Sequence, residues 1–286
     1  MYKLELRKAR FPFMKVFITG NRGRIGSVIE TQLTAAGHTV VGFDRADGKD
    51  ILDGAAVRRA AAGCEAAIHL ASMLGRPHDD PDETMAVGVQ GTWHVLMAAK
   101  EEKMQRVVYF SSVNALGIFM GQRAPDYFPI DDNHPPYPSS PYGIAKRLAE
   151  EMCRHFTEKH GISTICLRPP WVMPPDFKEK ILGWRQENPE REWKPVWEYG
   201  AFCDVRDVAN AAVLGLTCPD PGHVTLLLCA DDINSDTPSR EMAAKVHPAV
   251  PWRGGPEYER DPYRALVDNS RAKAVLGWQP QYQWKA

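Results

Sequence analysis

Residues 16–26 read VFITGNRGRIG, an apolar run that leads directly into a glycine-rich turn and the start of a helical pattern. Glycines at 20, 23 and 26 permit a tight turn, close approach of the backbone to a pyrophosphate, and close packing of the helix. The helix N-terminus adds N–H donors and positive potential. Asp44 ends the next apolar run about 20 residues later, where a carboxylate can accept hydrogen bonds from ribose hydroxyls. This setting favours a dinucleotide-binding turn over the alternative, a glycine turn with an unrelated surface acid.

Outward from this turn, short apolar runs alternate with longer segments of helical periodicity. Strands are predicted at 16–18, 38–43, 66–70, 107–110, 163–167 and 224–228, and helices at 25–36, 84–102, 142–160, 205–216, 239–246 and 269–276. Alternation of this kind builds a parallel sheet with helices on both faces. The predicted fold is therefore α/β, a Rossmann-type doubly wound parallel sheet with a small C-terminal substrate-binding lobe.

The regular winding is interrupted after Arg168 by four prolines and a tryptophan-rich stretch. Three parts of the chain follow from this change. Residues 1–13 are expected to be an N-terminal extension, and residues 14–168 mainly the dinucleotide-binding domain. Residues 169–286 are expected to form the small lobe, interleaved with the last elements of the Rossmann sheet.

The composition excludes several classes of protein. Of 286 residues, 44% are apolar and 25% charged, and the net charge of −1 is spread along the chain, which argues against disorder and shows no nucleic-acid footprint. The apolar runs fall short of the roughly 18 residues that a membrane helix needs. Six scattered cysteines without a CxxC pair predict neither a disulfide framework nor a metal site. We expect a cytoplasmic protein without nucleic-acid or membrane partners.

The first catalytic candidates are Tyr142 and Lys146, which share one helical face in the sequence YGIAK. A free phenol has a pKa near 10, but a nearby ammonium group favours the phenolate and lowers that pKa. Hydride transfer from an alcohol requires such a base, because the hydroxyl proton must leave. The alternative for this pattern alone is a solvated helix face.

A third candidate, Ser112, ends the run VVYFSS at residues 107–112. The carboxyl ends of parallel strands form the ligand crevice, so the two final serines are expected to face it. Ser112 could donate a hydrogen bond to a substrate oxygen. The alternative is a serine that merely caps or turns the chain.

In this order, the motifs resemble the extended short-chain dehydrogenase/reductase family, the NAD-dependent epimerase/dehydratase group. The resemblance rests on TGNRGRIG at 19–26, IHLAS at 68–72, FSS at 110–112, YGIAK at 142–146, LRPP at 167–170, FCDVRDVA at 202–209 and LGWQP at 276–280. It implies that Tyr142 is the general acid/base, that Lys146 lowers its pKa and holds the nicotinamide ribose, and that Ser112 positions the reacting hydroxyl.

The resemblance also implies an NAD cofactor and its contacts. The residues expected to bind it are Gly20, Gly23, Arg24, Ile25, Gly26, Asp44, Asp50, Ile51, Leu70, Ala71, Ser72, Lys146 and Pro169. Those expected to contact substrate are Ser72, Ser112, Asn114, Tyr142 and Trp171. Asp44 would repel a 2′-phosphate, which favours NAD, but Arg22 and Arg45 leave NADP open because either could pair with a phosphate.

Two positions depart from the family pattern. Gly88 stands where the family usually has asparagine. Val113 and Asn114 follow Ser112 where sugar-nucleotide dehydratases have an acidic pair. With no carboxylates available there for elimination, dehydratase chemistry is disfavoured.

The substrate class is inferred from a short segment. Only 27 residues separate Pro174 from Phe202, a stretch that is considerably longer in the nucleotide-sugar epimerases. In this short segment the chain resembles the dehydrogenases that oxidise a free sugar or uronate to a lactone. Trp171, Trp184, Trp193 and Trp197 could form a wall for sugar C–H groups, although tryptophans are more often core. Cations for an anionic substrate could come from Lys178, Lys180 or Arg185.

Three functions remain open at this stage. The first is an NAD-dependent dehydrogenase of a sugar-like alcohol, and the second is a UDP-sugar 4-epimerase with tightly bound NAD. The third is a non-catalytic dinucleotide sensor, against which the presence of all three catalytic candidates argues. The family resemblance implies a homodimer through helices 84–102 and 142–160. The apolar stripe of Met85, Val89, Trp93 and Met97 fits either that interface or the core of one subunit.

Overall fold

The computed structural model describes residues 13–73, 78–188 and 195–285, without the side chains of residues 195–197. The predicted N-terminal extension lies outside these residues except for Phe13. Within the described ranges, none of the helices has the length and apolar character needed to cross a bilayer.

Six parallel strands form the central sheet. They are β1 (Lys15–Thr19), β2 (Thr39–Phe43), β3 (Ala66–His69), β4 (Arg106–Phe110), β5 (Ser163–Arg168) and β8 (His223–Leu227). Their order is β2-β1-β3-β4-β5-β8, so the winding reverses between β1 and β3. The predicted α/β fold with a doubly wound parallel sheet is confirmed, and a ligand crevice is expected at the reversal, beyond the carboxyl ends of the strands.

Helices cover both faces of the sheet. They are α1 (Arg24–Ala35), α2 (Gly54–Ala61), α3 (Pro81–Met85), α4 (Gly91–Glu101), α5 (Pro141–His160), α6 (Phe177–Glu187), α7 (Val205–Thr217), α8 (Ser239–Val246), α9 (Glu257–Arg260) and α10 (Ser270–Leu276). Alternate residues of β1 point to opposite faces: Val16 and Ile18 join the apolar cluster of α1 and α7, whereas Phe17 joins that of α2, α4 and α5. Burial on both faces explains why the strands read as continuous apolar runs.

A second, two-stranded parallel sheet pairs β6 (Trp171–Met173) with β7 (Phe202–Asp204). Helix α6 lies between these strands in the sequence, and its Phe177 and Trp184 pack with Trp171 into a small apolar cluster around Trp284. Three of these aromatic rings meet edge to face, with centroids 5.2 and 5.5 Å apart. Trp171 and Trp184 are therefore partly buried and pack against this small cluster. Trp193 and the side chain of Trp197 lie outside the described part of the chain.

The predicted helix at 84–102 begins three residues earlier than expected, because Asp80 accepts a hydrogen bond from Glu83 N and Pro81 occupies the first turn. A π-helical turn, Ala86–Gln90, joins α3 to α4 and contains Gly88. A Cβ atom at Gly88 would lie 2.8 Å from the Cβ of Ala145 on α5. The departure from the family's asparagine therefore coincides with close packing of the two helices.

Gly88→Ala is expected to destabilise the protein by about 1–3 kcal/mol, the usual cost of overpacking. The control is Gly183→Ala in α6, where no atom of the described residues lies within 4 Å of the added Cβ. Removing that glycine from a helix should stabilise the protein by up to about 1 kcal/mol. Urea unfolding of both variants measures the difference, and equal unfolding midpoints would contradict the packing argument.

Candidate active site

A crevice of about 780 Å³ lies along the carboxyl ends of strands β1 to β5. Every residue predicted to bind the cofactor lines it, from Gly20 after β1 to Pro169 after β5. So does every residue predicted to contact substrate: Ser72, Ser112, Asn114, Tyr142 and Trp171. The structure thus brings both sets of residues into one cavity, while their individual binding roles stay predictions.

The glycine-rich turn has the geometry that a pyrophosphate requires. Gly20 has a φ of 75° and its N–H donates to the Phe43 carbonyl across the sheet. A Cβ at Gly26 would come within 2.2 Å of the Gly20 carbonyl, so only glycine allows this turn to pack on the helix. No side chain caps the first turn of α1, whose N-cap is Gly23. Its N–H groups and the positive end of the helix dipole are available to an anion.

The carboxylate of Asp44 lies at the end of β2 and is fixed in place by two backbone donors. Arg22 N donates to its Oδ2 and Ala46 N to its Oδ1, each at 2.9 Å. The two arginines that left NADP open are paired with other carboxylates, Arg22 with Asp47 and Arg45 with Glu83. An oriented acid beside paired arginines fits an NAD ribose better than a 2′-phosphate.

The candidates Tyr142, Lys146 and Ser112 meet on the β4 side of the crevice, where Ser112 follows the strand. Helix α5 begins at Pro141, capped by the Ser140 hydroxyl, which places Tyr142 in its first turn. Lys146 is buried, its Nζ donates to the Phe110 carbonyl at 2.6 Å, and it lies 5.5 Å from the centre of the Tyr142 ring. A solvated helix face is thereby excluded for Lys146.

Burial is the largest cause of the pKa shifts of Tyr142 and Lys146. It raises the pKa of Tyr142 to about 12, while an interaction with the Ser112 hydroxyl lowers it and the charge of Glu198 raises it. Burial also lowers the pKa of Lys146 to about 7, against the attraction of Glu150. The expected lowering of the Tyr142 pKa by Lys146 is therefore not found, because burial dominates the shift. The Lys146 ammonium group donates to the Phe110 carbonyl instead of the phenol.

The two serines have different partners. Ser112 accepts a hydrogen bond from Asn114 N at 3.1 Å and caps the 3₁₀ turn Val113–Leu116, while it also faces the crevice. Ser111 donates to the buried Glu150 carboxylate at 2.6 Å. Among the described residues, the Oδ1 atom of Asn114 is buried without a hydrogen-bond partner. An unpaired acceptor that lines the crevice is suited to a ligand hydroxyl or amide.

The sequence patterns do not predict Glu198, which reaches the same end of the crevice from the segment before β7. It is 7% exposed, and its Oε2 accepts a hydrogen bond from Trp171 N. The prediction concerned the two positions after Ser112, which carry no acid, but a carboxyl group still reaches the reactive end, because Glu198 arrives by a tertiary contact and not from the strand that bears Ser112. Burial raises the pKa of Glu198 to about 8, which the Trp171 N–H partly offsets.

Glu198 is held in an unfavourable backbone conformation. The φ angles of Glu198 and Tyr199 are 52° and 57°, left-handed values that cost about 1–2 kcal/mol per non-glycine residue. The Tyr199 hydroxyl donates to the Ile118 carbonyl at 2.6 Å and Asn234 N donates to the Gly200 carbonyl at 2.9 Å, which fixes the turn. Strain of this kind is concentrated at functional sites.

The three cations suggested for an anionic substrate do not line the crevice. Lys178 donates to the Trp284 carbonyl, and Arg185 to Asn234 Oδ1 at 3.1 Å. Lys180 pairs with Asp176 at 3.2 Å, one helical turn away. Each serves the packing or the surface of the α6 region, so the expectation that they bind substrate is wrong for the crevice as described.

The parallel sheet, the glycine-rich turn and the Tyr-Lys-Ser group define a dinucleotide-dependent oxidoreductase of the Rossmann type. The sequence profile of the NAD-dependent epimerase/dehydratase family matches residues 16–226. The chain belongs to the NAD-dependent epimerase/dehydratase family, and the family and enzyme class predicted from the sequence motifs are confirmed.

Individual relatives cover most of the chain. It is 26% identical to uronate dehydrogenase of Pseudomonas syringae pv. tomato, over 90% of this chain and 86% of that protein. It is 28% identical to UDP-glucose 4-epimerase of Mycolicibacterium smegmatis, over 94% of each. A short-chain dehydrogenase/reductase superfamily protein from Agrobacterium tumefaciens, solved with bound NAD, superposes with a TM-score of 0.68 at 22% identity, over 95% of this chain and 94% of that one. This last likeness concerns the fold.

The burial of Glu198 predicts a stability effect that depends on pH. Below its ordinary pKa of 4.5 the carboxyl group is protonated in both the folded and the unfolded state. As pH rises toward about 8, only the unfolded state ionises, so the wild-type protein loses stability over that interval and Glu198→Gln does not. The variant should therefore raise the unfolding temperature at pH 8 and change it little at pH 5. Glu179→Gln on exposed α6 is the control, and equal effects at both pH values would contradict the assignment.

Proposed function

We propose that the protein is an NAD-dependent dehydrogenase that oxidises a sugar-like alcohol. The observation that carries the proposal is the placement of Tyr142, Ser112 and Lys146 in one buried group at the end of a dinucleotide-shaped crevice. A protein that only sensed a dinucleotide would need the glycine-rich turn but no acid/base at that position.

The chain's own residues would manage the proton and the orientation of substrate. As the phenolate, the Tyr142 side chain would take the hydroxyl proton and become the phenol, and the Ser112 hydroxyl would donate a hydrogen bond that holds the reacting oxygen beside it. Lys146, with its pKa lowered to about 7, can bind a ribose hydroxyl and exchange a proton near neutral pH. NAD, when bound along the line from Asp44 to Tyr142, supplies the nicotinamide ring that accepts the hydride.

The short segment between Pro174 and Phe202 supports a small substrate. Much of this segment is helix α6, whose Phe177, Ile181 and Trp184 pack inward. Most of its residues therefore have a structural role, and few are left to enclose a large substrate. We infer that residues 169–286 supply the substrate side of the crevice and residues 14–168 mainly the dinucleotide side. A UDP-sugar 4-epimerase is the second candidate, because the Mycolicibacterium smegmatis relative has that name and covers nearly the whole chain.

We also propose a homodimer through α4 and α5. The side chains of Met85, Val89 and Met97 are only partly buried within one chain, and Trp93 is 47% exposed. Leu148 on α5 is 43% exposed. Both side chains lie on the two helices that the family resemblance assigns to subunit contact, which supports the interface over a purely internal role.

Turnover distinguishes the candidate functions. The protein is incubated with excess NAD and a panel of free aldoses, uronates and hydroxy acids while the absorbance of NADH is followed. We expect sustained NADH formation that falls about 100- to 10,000-fold in Tyr142→Phe, the usual contribution of a general base. Tyr282→Phe, on a partly exposed ring, is the matched control and should keep full activity. Interconversion of UDP-sugars without net NADH would assign the epimerase instead.

The choice of cofactor depends on Asp44. Because its carboxylate is oriented for ribose hydroxyls and repels a 2′-phosphate, NADH should bind at least about tenfold more tightly than NADPH. In Asp44→Asn the preference should shrink by about tenfold, since the repulsion is gone. Calorimetric titration with both cofactors measures this, with Asp82→Asn on exposed α3 as control. Equal affinities in the wild-type protein would show that Arg22 or Arg45 exchanges its carboxylate partner for a phosphate.

A further inference from the structure

The carboxyl group of Glu198 is a polar group at the reactive end that the Tyr-Lys-Ser chemistry does not use. It lines the crevice with Tyr142, close enough for its charge to raise the pKa of the phenol. Its Oε2 is occupied by Trp171 N. Among the described residues, no hydrogen bond reaches its Oε1, so one oxygen of a nearly buried carboxyl group remains for a ligand.

Among the residues that the structure describes, few positively charged side chains lie near Glu198. Four lysines and arginines line the crevice within the described ranges. Arg45 and Lys49 follow Asp44 on the adenosine side, and Arg24 begins α1, with its Nη1 3.4 Å from the Val172 carbonyl. Lys146 alone stands beside Tyr142, and its ammonium group already donates to the Phe110 carbonyl.

The conformation of this segment shows that the position of the carboxyl group is fixed. Glu198, Tyr199 and Gly200 all have left-handed φ angles, of 52°, 57° and 74°. The turn is closed by a 3.0 Å hydrogen bond from Ala201 N to the Glu198 carbonyl. Since Trp171 also lines the crevice, its N–H both holds the carboxyl group and sets which oxygen faces the ligand.

We propose that Glu198 is a specificity-determining residue that binds a hydroxyl group of an uncharged, polyhydroxylated substrate and disfavours substrates that carry a carboxylate. This inference rests on the proposed dehydrogenase function and narrows its substrate class from free sugars and uronates to neutral sugars.

The selectivity follows from donor and acceptor chemistry. A hydroxyl both donates and accepts, so it pairs with Glu198 whether the carboxyl group is protonated or ionised. A substrate carboxylate only accepts. A protonated Glu198 offers it one hydrogen bond but no counter-charge for the hydration it loses, and an ionised Glu198 adds a like charge in the same poorly solvated site. Asn114, with its buried unpaired Oδ1, adds a second acceptor that suits a hydroxyl and not an anion.

The test compares pairs of sugars that differ only in a hydroxymethyl group or a carboxylate, such as galactose with galacturonate and glucose with glucuronate. Binding of each sugar to the NADH-loaded protein is measured by calorimetry, and NAD reduction gives kcat and KM separately. We expect the wild-type protein to prefer the neutral sugar at least tenfold.

Two variants of the same residue change this preference in different ways. In Glu198→Gln the side-chain oxygen can keep Trp171 N, which turns the NH₂ group toward the crevice as a donor to carboxylates. The preference for neutral sugars should narrow at least tenfold, mainly through tighter uronate binding. Glu198→Ala should raise KM for the neutral sugar at least tenfold while kcat changes less. Glu179→Gln should leave the preference unchanged.

The failures are separable. NADH formation with an unchanged preference in Glu198→Gln, or a wild-type protein that binds uronates as well as neutral sugars, overturns the role of Glu198 and leaves the dehydrogenase intact. Selective binding of neutral sugars without NADH formation overturns the proposed dehydrogenase function and supports the proposed role of Glu198 in specificity. A loaded protein that binds neither member of either pair contradicts both.

Discussion

The geometry of the active site depends on the buried ion pair between Glu150 on α5 and Arg168 on β5. The Glu150 carboxylate accepts hydrogen bonds of 2.7 Å from both Nε and Nη2 of Arg168 at the end of β5, and of 2.6 Å from Ser111 after β4. Tyr142, Lys146 and Glu150 follow at four-residue spacing, so one helical face meets the sheet edge. Removing one partner of so buried a pair typically costs about 3–5 kcal/mol, because the other charge is left unpaired. Helix α5 therefore cannot shift along the sheet without breaking this ion pair. The pair thus fixes the position of the Tyr142 phenol relative to the strand ends.

Features set by local sequence could be predicted, and those set by tertiary contacts could not. The central strands and the long helices show a periodic pattern of apolar residues in the local sequence. The carboxyl ends of parallel strands meet at one edge of the sheet, which is why the sequence predicts that Ser112 and Tyr142 lie in the same crevice. Strands β6 and β7 have three residues each, too few for a pattern. Helix α2, GAAVRRAA, has a single large apolar side chain. The boundaries of β6, β7 and α2 are therefore decided by packing that the local sequence does not contain. Helix α6 does have an apolar stripe at helical spacing, Phe177, Ile181 and Trp184, which is not recognised from the sequence because its tryptophan is interpreted as part of a sugar-binding wall.

Glu198 illustrates the limit of motif reasoning about chemistry. The residues after Ser112 carry no acid, and from that strand alone the reactive end would have none. The fold supplies one from a segment more than eighty residues away, on a left-handed turn held by Tyr199 and Asn234. A single carboxyl group with its pKa raised to about 8 does not replace the acidic pair of a sugar-nucleotide dehydratase. The prediction against elimination therefore depends on the number and protonation of the acids at the reactive end and no longer on their absence, and it stays a prediction.

Burial shifts Tyr142, Lys146 and Glu198, which line this end of the crevice, toward their neutral forms. It lowers the pKa of Lys146 to about 7 and that of His69, behind the sheet edge, to about 3, and it raises those of Glu198 and Tyr142 to about 8 and 12. An anionic substrate would lose its hydration here and gain little compensating charge. A polyol exchanges water for the oxygens of Glu198 and Asn114 at a smaller cost. We expect the same burial that restrains proton transfer at Tyr142 to favour the uncharged substrate proposed for this site, because the chemistry and the selectivity would then have one physical origin.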